Sequence, residues 1–266
     1  MLSNHHRKTY MKRIDTCLLN KVHHMDCLEG MKLIEDKSID MILCDLPYGT
    51  TACKWDEIIP FDLLWEQYER IIKDNGAILL TASQPFTTKL IASNMKLFRY
   101  EWIWKKGNHT TGFPNANRMP LKNHENILVF YKKLPKYYPQ DLVLLDKPIV
   151  HRKPKKKLQI FGKRNNESLN KVHVTKYTNY PKSVIDFVRE SKTFHPTQKP
   201  VPLFEYLIKT YTREGQVVLD NCMGSATTAI ACINTNRNFI GFEKDEKYWR
   251  LGNERIAKHM QQLNSF

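Results

Sequence analysis

What this chain of 266 residues lacks narrows its class before any motif is read. No stretch approaches the run of about 18 apolar residues that a membrane span needs, and the basic opening MLSNHHRKTYMKRID has no apolar signal segment behind it. A cytoplasmic protein without membrane contact is the expectation. The six cysteines (Cys17, Cys27, Cys44, Cys53, Cys222 and Cys232) form no C-x-x-C pair and several sit in apolar segments, so neither a disulfide frame nor a zinc site is expected. Histidine pairs His5/His6 and His23/His24 are adjacent rather than four apart, which leaves no metal-binding helix face. The three-glycine dinucleotide fingerprint is missing, which weakens a nicotinamide oxidoreductase. Acidic residues are scarce: 27 Asp or Glu stand against 42 Lys or Arg, for a net charge of +15.

An excess of that size favours polyanionic partners, and it is concentrated. Residues 132–192 hold 16 Lys or Arg and 5 Asp or Glu, and Pro135, Pro139, Pro148, Pro154 and Pro181 interrupt any period there. This reads as a basic region inserted between a first part, 1–131, and a last part, 193–266. Hydrophobic content of 41% supplies enough apolar material for one substantial core.

On either side of the insertion the apolar spacing alternates between strand and helix periods. Strands are expected at Val22–Met25 and Ile39–Cys44, with a helix at Cys27–Ile34 between them. A helix follows in DLLWEQYERIIKDNG, where Leu64, Tyr68, Ile71 and Ile72 recur at helical spacing and Gly76 ends it. Next come the strand AILLTAS, a helix from Gln84 to about Asn94, and the segments FRYEWIWKK and NILVFYK, expected as an antiparallel pair at the sheet's edge. In the first of these Trp102 and Trp104, and in the second Phe130, read as core. After the insertion come a helix at Pro202–Thr212, the strand QVVLD, a helix opening near Ser225, the strand NFIGFE and a closing helix from Asp245. Such alternation specifies an α/β fold with a doubly wound, mostly parallel sheet.

Two strand ends carry the chemistry. In DMILCDLPYGT, Met41–Cys44 is apolar throughout, as in a strand covered on both faces, and Asp45 follows at its carboxyl end, where open α/β sheets hold ligands. In VVLDNCMGSATTAIA, a strand ends in Asp220, Gly224 makes a turn, and small residues open a helix whose N-terminus suits an anionic group. Glu243 ends its own strand 19 residues beyond Gly224, placed to accept from ribose hydroxyls. Together these imply a nucleoside cofactor.

With these residues the chain resembles the β group of S-adenosylmethionine-dependent DNA amino methyltransferases. Asp45–Gly49, DLPYG, is similar to that family's D-P-P-Y loop, and Trp55-Asp56 to the W-D that often follows it. DCLEGMKLI from Asp26 is similar to the acidic motif at the cofactor's adenine, HPTQKP (His195–Pro200) to the segment before the glycine turn, and Asp220–Thr228 to D-P-F-x-G-S-G-T-T. The order, with the catalytic loop first and a variable basic region between, is that of the β group, and the match spans nearly the whole chain. Leu46, Asn221-Cys222 and Ala226 depart from the pattern; Ala226 is expected to crowd the cofactor.

The resemblance implies a Rossmann-like methyltransferase fold in which S-adenosylmethionine methylates the N6 amine of an adenine flipped out of double-stranded DNA. It implies catalysis by Asp45, Leu46, Pro47 and Tyr48: the Asp45 carboxylate and the Leu46 carbonyl accept the amine hydrogens, Pro47 fixes the turn and Tyr48 stacks on the base. Asp26, Cys27, Asp45, Asp220, Gly224, Ser225, Ala226, Thr227 and Glu243 are implied at the cofactor, and Lys199 at its methionine carboxylate. Lys105, Arg118 and His124-Glu125 fall where the family has further contacts near the base, and 132–192 where it reads its target. A homodimer and a restriction endonuclease partner are compatible with the family. N4-cytosine methylation is the rival within it, Asp45 favouring adenine; Asn usually stands there in enzymes acting on RNA or protein glutamine, and C5 methylation lacks its Pro-Cys nucleophile. A silent nucleic-acid-binding relic is the rival from another class.

Overall fold

A computed structural model of the chain describes residues 17–50, 56–151, 173–189 and 198–265. Two compact units emerge: the first spans Met1–Tyr138 and Ser183–Phe266, the second Pro139–Lys182.

In the first unit the described strands form one sheet of eight, ordered β1 (Lys21–His24), β10 (Asn238–Glu243), β9 (Val217–Asp220), β2 (Ile39–Cys44), β3 (Ile72–Ala82), β5 (His124–Phe130), β4 (Phe98–Lys105) and β8 (Val184–Asp186). The five strands from β1 to β3 run parallel, β5 is antiparallel to both β3 and β4, and β8 is parallel to β4. The remaining strands, β6 (Val143–His151) and β7 (His173–Thr178), pair antiparallel in the second unit.

Helices cover both faces, which is why the central strands are apolar without alternation. On one face α1 (Cys27–Lys32), α2 (Phe61–Ile71) and α3 (Phe86–Ser93) bury Met31, Tyr68 and Leu90 against Ile42, Ile78 and Leu219. On the other, α4 (Val201–Tyr211) and α5 (Thr227–Asn234) bury Phe204 and Ala229 against Met41, Leu79 and Val218. The closing helix α6 (Glu246–Asn264) packs Trp249 and Ile256 onto that second layer. Consecutive residues of β2 thus face opposite layers, and both layers are apolar. Trp102, Trp104 and Phe130 are buried, as expected.

Several expectations are corrected. Helix α2 ends at Ile71, not at Gly76: Ile72 is already extended, and Gly76 lies inside β3. The glycine answers a close approach, because a Cβ there would stand 2.9 Å from the Asp40 carbonyl oxygen and 2.7 Å from the Ile72 side chain. The β4–β5 pair is not the edge, since β8, drawn from the segment read as irregular, adds outside β4 through Ile103, Trp104 and Lys105. The basic stretch also contains the β6–β7 hairpin, which prolines and charges hid. Finally, α5 opens at Thr227 rather than Ser225, because Ala226 takes a left-handed φ of 62° that no helical residue adopts.

Candidate functional site

A cavity of about 530 Å³ opens at the carboxyl ends of β1, β2, β9 and β10, inside the first unit. Two of its walls are the strand ends singled out in the sequence.

The first wall is the loop leaving β2. Asp45 Oδ1 accepts from the Thr81 hydroxyl and lies 2.9 Å from the Tyr48 hydroxyl, while Oδ2 accepts from Lys199 Nζ at 2.5 Å. The Tyr48 ring stacks on Phe86 with centroids 5.0 Å apart. Burial, with the nearby Asp45 and Glu125 carboxylates, pushes the Tyr48 phenol well above its usual range, so it stays protonated. Leu46 is buried with Asp45 and Pro47 on either side of it along the cavity wall. The loop's exit is tied down by Asp56, whose Oδ1 and Oδ2 accept from the Gly49 and Thr50 amides, each at 2.9 Å. Gly49 is needed there: its φ is 65°, and a Cβ would meet the Ile58 side chain at 2.9 Å.

Behind Asp45 runs a chain of alternating charge. Lys199, 5% exposed, also lies 3.4 Å from Glu125 Oε2, and Glu125 Oε1 accepts from Lys106 Nζ at 2.5 Å. Burial pulls the Lys199 ammonium down, but the two carboxylates outweigh it and hold its pKa above the ordinary lysine value. Glu125 is likewise pushed up by burial, more than offset by Lys199 and Lys106, and ends below the usual range. Four buried or half-buried ions in alternation thereby avoid an uncompensated charge.

The second wall is the turn after β9. Asp220 accepts from the Cys222 amide at 3.0 Å and from the Thr228 hydroxyl at 2.5 Å, and burial pushes its carboxyl up to about 6. Gly224, at φ 51°, donates its N–H to Glu243 Oε2 at 2.8 Å, and Glu243 Oε1 accepts from the Asp245 amide at 2.8 Å. Burial raises the Glu243 pKa too. Arg255 of α6 braces the turn from behind, donating to the Ser225 carbonyl at 2.8 Å and to Thr227 Oγ1 at 3.1 Å. Across the cavity, Asp26 caps α1 by accepting from the Leu28 amide at 2.9 Å, and Cys27 is the first residue of that helix.

Of the residues expected at the site, Asp26, Cys27, Asp45, Leu46, Pro47, Tyr48, Lys199, Asp220, Gly224, Ser225, Thr227 and Glu243 all line the cavity. Ala226 does not. It is fully buried, and a Cβ added at Gly252 of α6 would stand 3.3 Å from its methyl, so that methyl faces α6 and crowds nothing in the cavity. Glu125 joins the wall, whereas Lys105 pairs with Asp186 and both Arg118 and His124 are exposed. Trp55, Cys53 and His195–Thr197 lie outside the described residues. Three contributors went unread in the sequence. Thr81, a polar residue near the end of an apolar strand, carried the same signal as Asp45; Lys106 and Phe86 carried none.

The arrangement fits a nucleoside sulfonium. Asp26 and Glu243 both line the cavity, and carboxylates there would suit the hydroxyls of a ribose. The Gly224 turn and the start of α5 line the same cavity as Asp45. Among the described residues no group of side chains has the makings of a metal site.

The family model described as DNA methylase, covering N6 and N4 methyltransferases, matches residues 39–254. Type II methyltransferase M.HindIII of Haemophilus influenzae is 33% identical over 312 residues, covering 90% of this chain and 96% of its own. DNA adenine methyltransferase YhdJ of Escherichia coli is 27% identical, with 89% and 83% covered. Among solved structures, the M1.HpyAVI–SAM complex superposes with a TM-score of 0.59 at 24% identity, covering 88% of this chain and 98% of that one.

Proposed function

The chain belongs to the DNA methylase family of N6 and N4 methyltransferases, and from that premise we propose that it methylates the N6 amine of adenine in double-stranded DNA, using S-adenosylmethionine. The observation that carries this reading is the Asp45 carboxylate on the cavity wall beside the Leu46 backbone, opposite a turn built for a nucleoside. When bound, the cofactor supplies an electrophilic methyl group.

An exocyclic amine is a weak nucleophile because its lone pair is delocalised into the base. Asp45 and the Leu46 carbonyl accept its two N–H hydrogens, draw the nitrogen toward tetrahedral geometry and stabilise the positive charge that develops on it. Fixing the amine in line with the methyl supplies the remaining acceleration. The nitrogen then loses one of its hydrogens as a proton along the hydrogen bond to Asp45. Because the amine lies inside a duplex, the base must turn out to reach the cavity, where Tyr48 stacks on it. Thr81 and Lys199 hold the Asp45 carboxylate in one orientation throughout.

Of the departures from the family pattern, neither Leu46 nor Ala226 argues for decay. Leu46 acts through its backbone, and the Ala226 methyl points into α6. The compact unit Pro139–Lys182 is proposed as the target reader, with lysines on phosphates and exposed Tyr177 and Tyr180 among the contacts. Kinship with type II methyltransferases supports a companion restriction endonuclease; a homodimer rests on the resemblance alone.

The test is expression in a host whose DNA carries neither modification, followed by sequencing that detects modified bases. N6-methyladenine confined to one sequence motif, and absent with Asp45→Ala, is the expected result. N4-methylcytosine at the motif would move the target to the other amine, and an unmodified genome would overturn the reading.

A further inference from the structure

The connection between β4 and β5 is an ordered turn with an unusual surface. It begins beyond the level of the catalytic carboxylate. Asp45 contacts Thr81, Thr81 is level with Ile127 and Ile127 with Trp102, so the ladder continues from Trp102 to Lys105 before the chain leaves it. Since β4 runs in the same direction as β3 and β2, the turn projects from the edge of the sheet that carries Asp45.

Its root is clamped. Lys106 donates to Glu125 on the cavity wall, the Gly107 amide and the Lys105 ammonium both donate to Asp186, and Thr111 and Lys122 exchange backbone hydrogen bonds of 2.8 and 2.9 Å. Beyond that bridge, Gly112 at φ 96° starts a short 3-10 turn, Phe113–Asn115. The tip presents Phe113 and Met119, 64% and 57% exposed, beside Asn115, Asn117 and Arg118. Residues 105–122 contain four Lys or Arg and no Asp or Glu.

We propose that this turn enters the DNA duplex when the target base leaves it, with Phe113 as the wedge that fills the space vacated in the base stack. The proposal rests on the reading of the cavity as a pocket for a flipped base. Flipping leaves an unstacked gap, and an apolar side chain presented on a rigid support can occupy it while nearby cations meet the phosphates. The charge of the stretch selects a polyanion over a protein partner, and rooting on Glu125 keeps the wedge in register with the cavity.

The target motif is first mapped by sequencing methylated DNA. Single-turnover methylation is then measured on a synthetic duplex of that motif, fully paired, and on one with an abasic site opposite the target. Phe113→Ala is expected to slow the paired duplex by about 10- to 100-fold and the abasic one by less than about threefold, because the missing partner removes the barrier that the wedge helps to cross. Phe113→Leu should recover most of the paired rate. Equal losses on both duplexes, or no loss on the paired one, would overturn the wedge. A wild-type protein that methylates neither duplex would overturn the methylation reading instead, and the wedge with it.

Discussion

The Lys199 ammonium stands 2.5 Å from Asp45 Oδ2 and 3.4 Å from Glu125, so the Asp45 carboxylate is held by a buried cation that is itself paired a second time. The sequence expectation set this lysine against a carboxylate of the cofactor. In the structure its partners include two carboxylates of the protein, and we propose on that ground that it positions Asp45.

Replacing that cation separates the two roles. Lys199→Met should lower kcat by about 100-fold, the penalty for a misplaced catalytic group, while the cofactor Kd from calorimetry stays within about twofold. Loss of cofactor affinity with kcat preserved would return the lysine to the cofactor.

Asp45 itself is expected to matter far more for turnover than for the fold. Asp45→Asn should reduce methyl transfer by about 10²- to 10³-fold, as removal of a preorganised partner of the developing charge does elsewhere. Cofactor binding should change little, while the thermal unfolding temperature should fall because buried Lys199 loses one of its carboxylate partners; a variant that methylates at the normal rate would remove Asp45 from the mechanism.

Asp220 makes stability depend on pH. Its folded-state pKa, about 6, lies above its ordinary value of 3.8, so the folded chain retains a proton that the unfolded chain has released. The associated stability is fully present below about pH 4 and is lost as pH rises through about 6. Asp220→Asn removes this dependence, because the amide oxygen can still accept from the Cys222 amide. Urea unfolding at pH 5 and pH 8 should show the variant gaining on the wild type at the higher pH, by an amount on the order of 3 kcal/mol at most. Parallel stability at both values would contradict the raised pKa.

Gly252 of α6 decides how closely that helix backs the Gly224 turn. A Cβ there would stand 3.0 Å from the Gly224 carbonyl oxygen and 3.3 Å from the Ala226 methyl. Gly252→Ala should therefore shift the turn, destabilise the protein by about 1–3 kcal/mol as overpacking does, and weaken cofactor binding. Unchanged affinity in calorimetry would mean that the turn does not depend on α6.

The fold was legible where burial imposes a period. The apolar run Met41–Cys44 could only be a strand covered on both sides, and Asp45, Asp220 and Glu243 each broke such a run at its carboxyl end. The limits of α2 and α5 were not legible, because they depend on tertiary approach: Gly76 serves the contact with Asp40, and Ala226 accepts a left-handed turn against Gly252. Strands β6 to β8 were hidden by prolines and charge. The charge chain was hidden for another reason, since Lys106, Glu125 and Lys199 are far apart in sequence and meet only when the β4–β5 ladder closes beside the loop before α4.

The central claim is tested most directly by incubating the purified protein with S-adenosylmethionine radiolabelled on its methyl group and with unmethylated genomic DNA, then digesting the DNA to nucleosides and separating them. Label in N6-methyldeoxyadenosine is the expected result, while label in N4-methyldeoxycytidine, or in no nucleoside at all, would contradict it.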